Sequence, residues 1–253
     1  MPFADGAPFY GNVLGMKNFL IALAILFAQS ALNSTVASET HSLDRFENEI
    51  RAYEQKDQRN QLPAGRTVFI GSSTFTRWKT LENDLSDLQP INRGFGGSTI
   101  PEINHYETRL IAPLKPSRIV FYAGTNDIAE GHSGEQVCRD FKQFVKAVHR
   151  DAPDAEIYFI SMSVAPSRLS MQAQFDRGNT LIGDYVKTDS KLHFIDVRSV
   201  MRDEKNQLKA AYFGPDQLHM TPAGYKAWIP VIRKALVKNP KTPAASASPV
   251  LQH

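Results

Sequence analysis

Thr67-Val68-Phe69-Ile70-Gly71-Ser72-Ser73-Thr74 decides how the rest of the chain reads. Its first four residues are β-branched or aromatic with no polar alternation, which fits a short strand covered on both faces. Gly-Ser-Ser then turns the chain toward a helix and leaves a serine hydroxyl exposed beside backbone amides that a helix start does not pair. That is a place for a nucleophile.

Further apolar runs follow at 90–92, 118–122, 156–160 and 192–197, the first of them weak. Segments of helical period lie between them. Leu43, Phe46, Ile50 and Tyr53 share one helical face ahead of the first strand; Ile100, Ile103, Tyr106 and Leu110 mark another helix. Val137, Phe141, Phe144, Val145 and Val148 mark a third, opened by the capping box Ser133-Gly134-Glu135-Gln136. Leu181, Ile182, Tyr185 and Val186 mark a fourth. The last begins at Thr221-Pro222, a hydroxyl cap with proline in the first turn, and carries Tyr225, Trp228, Ile232 and Leu236. Strands alternating with helices predict an α/β fold: a three-layer α/β/α sandwich around a parallel sheet of about five strands. Ligands bind such sheets beyond the carboxyl ends of the strands.

The 253 residues suit one domain. With 29 Lys plus Arg against 26 Asp plus Glu, a net charge of +3 leaves no excess to grip a nucleic acid backbone. One cysteine forms no internal disulfide, and CxxC, HExxH and EF-hand patterns are missing, so neither cofactor nor metal is expected. Lys17 followed by the apolar run 19–28 reads as a signal peptide, cleaved after Ser30 or Ala37 and too short to span a bilayer. Residues 1–37 are therefore expected to be an N-terminal extension and signal peptide, 38–238 the folded domain, and 239–253, rich in Pro, Ala and Ser, a disordered tail. The expected location is secreted or periplasmic.

The residues after each strand carry the chemistry. Asn92-Arg93-Gly94-Phe95-Gly96-Gly97-Ser98-Thr99 lets main chain approach a ligand and aim N–H groups at it. Gly124-Thr125-Asn126-Asp127 offers a side-chain amide after the third strand. Asp216-Gln217-Leu218-His219, just before the last helix, offers a base with a carboxylate one turn upstream. Each pattern alone is weak, but all four fall on one rim of the sheet. Spacing does not separate Ser73 from Ser72, and Ser98 is a third hydroxyl in these stretches. Arg93 suits either a structural ion pair or an anionic substrate group. The remaining histidines, His41, His105, His132, His149, His193 and His253, and the side chains of Trp78, Trp228 and Cys138 read as surface or packing residues.

These four stretches, in this order, resemble the four blocks of the SGNH, or GDSL-type, esterase and lipase family, over nearly all of 67–219. The resemblance implies a flavodoxin-like SGNH hydrolase fold and a serine ester hydrolase. It makes Ser73 the nucleophile, with His219 and Asp216 completing the triad. Gly97 N–H and the Asn126 side chain become oxyanion donors beside the N–H of Ser73. Ser72 stands where the GDS triplet has its aspartate, a position outside the triad. The implied substrates are small-molecule, lipid or saccharide esters with short or accessible acyl groups.

Two other classes compete. A dinucleotide-binding enzyme is suggested by Gly94-Phe95-Gly96-Gly97-Ser98-Thr99, but Thr99 fills the third glycine position and no acid ends the following strand. A catalytically silent glycan or lipid binder would share the scaffold; reaction with a fluorophosphonate distinguishes the hydrolase from both. A histidine base must be neutral to act, so activity should rise as pH climbs through roughly 6 to 7. A flat profile from pH 5 to 8 would argue against that base.

Overall fold

The computed structural model describes residues 43–237. The expected signal segment with its candidate cleavage points, His41 and the expected tail with His253 lie outside them. In chain order the elements are α1 (Glu47–Asn60), β1 (Thr67–Gly71), α2 (Ser73–Arg77), α3 (Leu81–Asp84), β2 (Pro90–Gly94), α4 (Ile100–Leu110) and β3 (Arg118–Tyr122). There follow α5 (Thr125–Ala129), α6 (Gly134–Asp151), β4 (Glu156–Ile160), α7 (Gln172–Tyr185), β5 (Leu192–Ile195) and α8 (Pro222–Val237). None of these helices is long and apolar enough to cross a membrane.

The five strands form one parallel sheet in the order β2-β1-β3-β4-β5. Alternate strand residues feed two apolar layers. Val68, Ile70, Ile119, Phe121, Ile157 and Phe159 pack with α1, α4, α6 and α7 on one face. Phe69, Val120, Tyr122, Tyr158 and Ile160 pack with α2, α3 and α8 on the other. Both faces of each central strand are therefore covered, which is why these strands show no polar alternation. The architecture is the three-layer α/β/α sandwich expected from the sequence.

Element ends differ from the sequence expectation where side chains intervene. The weak run at 90–92 extends to Gly94, because Arg93 and Gly94 stay paired with Ile70 and Gly71. The last strand stops at Ile195, two residues early. Asp196 Oδ1 accepts the N–H of Arg198 at 3.0 Å, and Val197 N–H donates to Ser161 Oγ at 3.0 Å, so the chain turns out of the ladder. Only half of the capping box at Ser133 forms. Ser133 Oγ accepts Gln136 N–H at 3.3 Å, but the Gln136 amide donates forward to Asp140 Oδ1 at 2.8 Å. A carboxylate returning to its cap is found instead on α4, where Glu102 Oε2 accepts Thr99 N–H at 2.8 Å.

The order of strands reverses between β1 and β3, and there the sheet opens a crevice at its carboxyl end. Gly71, Gly94 and Tyr122 are level with one another across the three strands. Gly71 has no room for a side chain: a Cβ would stand 2.0 Å from the Tyr122 carbonyl oxygen. At Gly94 it would meet Thr76 N at 2.6 Å and Phe75 Cβ at 2.7 Å. Main chain cannot rotate aside as a side-chain tip can. Gly71→Ala is therefore expected to cost ~2 kcal/mol or more through overpacking, seen as a lowered urea midpoint. A midpoint equal to wild type would refute the close approach of β1 to β3.

Candidate active site

Ser73 is the first residue of α2. The carbonyl of Ser72 accepts N–H groups of Phe75 at 3.1 Å and Thr76 at 3.3 Å, which starts the helix two residues past the strand-end glycine. The N–H of Ser72 donates to the Tyr122 carbonyl at 3.3 Å, so Ser72 is still tied to the sheet and only 2% exposed. Ser98 is 1% exposed. Ser73 alone of the three is partly exposed. Its Oγ lies 3.1 Å from His219 Nε2.

His219 arrives on a tight turn before α8. Gly214 N–H donates to the His219 carbonyl at 2.8 Å, and Gln217, at φ 54°, takes the left-handed conformation that closes the turn. Asp216 sits inside it. Its Oδ2 lies 2.6 Å from His219 Nδ1, and its Oδ1 accepts the N–H groups of Leu218 and His219, each at 3.0 Å. The His219 ring first, and these two amides after it, hold the Asp216 carboxyl well below the usual carboxylate range. Asp216 thus stays ionised at neutral pH. An ionised carboxylate only accepts, so Nδ1 carries the proton and Nε2 turns its lone pair toward the Ser73 hydroxyl.

Gly97 and Asn126 line the same cavity of about 500 Å³. Gly97 has φ 89°, a left-handed backbone that glycine adopts without strain. Asn126 lies in the first turn of α5, and its Nδ2 donates to the Ser98 carbonyl at 3.0 Å. Ser73, Gly97, Asn126 and His219 are therefore brought together, with Asp216 immediately behind His219. Its apolar lining comes from Phe175, Met201, Phe213, Met220 and Trp228, beside polar residues that include Thr76, Arg77 and Ser163. Trp228 is thus both a packing residue and part of the cavity. Trp78 is packing only: its Nε1 donates to Asp84 Oδ2 at 2.7 Å and its ring stacks on Tyr225. Cys138 is buried.

Arg168 is a cavity residue that sequence reasoning missed. It lies on the 3-10 turn Pro166–Met171, half-buried. Its Nη1 donates to the Thr125 carbonyl at 2.9 Å and its Nη2 to Asn126 Oδ1 at 3.1 Å. A guanidinium has only donors, so this contact fixes which end of the Asn126 amide is oxygen and turns its nitrogen the other way. The available signal was its position: the turn follows β4, on the same rim as the other strand-end residues.

Arg93 takes the structural role. It is 1% exposed, ion-paired with Asp57 on α1, and lies 4.9 Å from the centre of the Tyr53 ring. Among the other histidines, His193 is a residue of β5, stacked on Tyr158, with Nε2 3.4 Å from Glu156. His149 Nε2 lies 3.8 Å from Asp189. Neither reaches the cavity. No group of three potential metal ligands lines it among the described residues.

The profile of the GDSL-like lipase/acylhydrolase family matches residues 64–227. Comparison with curated protein sequences gives no match. Among solved structures, the chain is similar to a GDSL-like lipase from Bacteroides thetaiotaomicron, at 22% identity and TM-score 0.64, covering 75% of this chain and 97% of that one. It is similar to a protein from Streptococcus pneumoniae assigned as a platelet activating factor, at 20% identity and TM-score 0.67, over 80% and 98% of the two chains. It is also similar to an acetylxylan esterase from Geobacillus stearothermophilus, at 13% identity and TM-score 0.56, over 69% and 94%. At these identities the likeness is one of fold, and the family match carries the assignment. The chain belongs to the GDSL-like lipase/acylhydrolase family and is an ester-bond hydrolase.

Proposed function

We propose that the protein is a secreted serine esterase in which Ser73, His219 and Asp216 form the triad. The observation that carries this is the unbroken line from Asp216 through His219 to Ser73, with contacts of 2.6 and 3.1 Å, opening on a cavity of about 500 Å³. His219 Nε2 takes the Ser73 proton as Oγ attacks the ester carbonyl. Asp216 holds the ring in the required tautomer and stabilises the imidazolium. The oxyanion is received by the N–H groups of Ser73 and Gly97 and the Asn126 amide. A side-chain amide has two N–H bonds; Ser98 takes one, and the second serves the oxyanion. His219 then protonates the departing alcohol, and water attacks the acyl-enzyme by the same route in reverse.

Arg168 is a positioning residue in this scheme. By occupying Asn126 Oδ1 it prevents an amide flip that would present oxygen, and so repulsion, to the developing negative charge. The cavity size and apolar lining residues support acyl groups that are short or accessible, as in acetyl saccharides, aryl esters and lysophospholipid-like molecules. Secretion is supported by the sequence pattern at 17–37.

A chain-length series of nitrophenyl esters beside acetylated saccharides tests the reading, with Ser73→Ala as the blank. Turnover should fall on the order of 10⁴-fold or more in that variant; wild-type rates no faster than the blank would favour the silent binder. Asn126→Ala should lower kcat by roughly 10²- to 10³-fold with folding intact, and near-normal activity would remove Asn126 from the assignment. Arg168→Ala should lower kcat roughly tenfold, yet add almost nothing in the Asn126→Ala background. Multiplicative losses in the double variant would show that Arg168 acts by another route.

A further inference from the structure

Asp127, His132 and Asp140 converge outside the catalytic cavity. One potential ligand atom from each lies within 4.8 Å of the other two. Asp127 is 0% and Asp140 4% exposed, while His132 is half-buried. Each residue keeps one buried polar atom without a hydrogen-bond partner: Asp127 Oδ2, His132 Nδ1 and Asp140 Oδ2. Buried polar groups are nearly always satisfied, so three orphans gathered in one place call for a shared partner.

The remaining oxygens of the two carboxylates are in use. Asp127 Oδ1 accepts Ile100 N–H at 2.9 Å, and Asp140 Oδ1 accepts the Gln136 amide at 2.8 Å. These bonds hold each carboxylate in place and leave its other oxygen for the centre, as outer hydrogen bonds do around metal ligands. Two carboxylates buried side by side with no Lys or Arg among the described residues bonded to either are costly unless neutralised. Burial pushes the Asp127 carboxyl up to about 6 and raises Asp140 in the same direction. A divalent cation would neutralise both at once.

We propose that Asp127, His132 and Asp140 bind one divalent metal ion. Two carboxylate oxygens and an imidazole nitrogen, with no thiolate, suit Zn²⁺ or Mn²⁺. His132, in the connection from α5 to α6, is half-buried and the most open of the three residues. The ion's role is structural. Asp127 follows Asn126 directly and also anchors Ile100, the first residue of α4 beyond the Gly97 loop. Asp140 lies on α6, so bound metal would tie together the bases of both loops that carry the oxyanion donors.

The test uses protein dialysed against EDTA and then against metal-free buffer. Metal content and thermal midpoint are measured after adding ZnCl₂ or MnCl₂ to wild type, His132→Ala and Asp140→Asn. Wild type is expected to retain about one ion per chain after desalting and to gain roughly 5 °C or more. Both effects should be lost in either variant; the near-isosteric Asp140→Asn keeps the test valid if His132→Ala does not fold. No retained ion in wild type, or retention unchanged in the variants, would overturn the proposal. Neither readout depends on esterase activity, so the two readings can fail separately.

Discussion

The site rests on the level ending of β1, β2 and β3. Gly71, Gly94 and Tyr122 occupy one register line, and the chain leaves that line three times within a few residues of a chemical group. Ser73, Gly97 and Asn126 follow it by two, three and four residues. Short tethers from a rigid sheet fix three groups against each other. Gly71 and Gly94 make this possible, since a Cβ at either would collide with β3 or α2.

The two halves of the machinery are built differently. Ser73, Gly97 and Asn126 are positioned by the sheet, whereas Asp216 and His219 are positioned by one turn. Asp216 accepts two main-chain N–H groups from the turn that carries its own partner, so the His–Asp contact is local and would survive movement of the whole turn. The Ser–His contact spans 146 positions and depends on docking of that turn against α2. Tyr225 contributes to the docking: its hydroxyl donates to the Thr74 carbonyl at 2.9 Å.

Most of the fold was legible because burial on both faces writes the central strands as uninterrupted apolar runs. The residues of the proposed triad and oxyanion site could be picked out in the sequence because each lies within a few residues of a strand end or helix start. Arg168 was not, since its role depends on Asn126, 42 positions away, and on a 3-10 turn that shows no periodicity. The end of β5 was missed for a similar reason: Ser161, 36 positions earlier, draws Val197 out of the ladder. The cluster of Asp127, His132 and Asp140 spreads over two helices and their connection, with spacings that match no linear ligand motif. The buried guanidinium of Arg93 was visible as a candidate, but its counter-charge on α1 was not.

That last pair bears on where the working unit begins. The family profile starts at residue 64, after α1, yet α1 supplies Asp57 to Arg93 and the Tyr53 hydroxyl to the Gly94 carbonyl. Both partners belong to the end of β2, from which the Gly97 loop departs. A chain shortened to the profile boundaries would strand a cation in the interior and release the strand end from which the Gly97 loop departs. The first helix thus braces the end of β2 from upstream of the residues that the family profile matches.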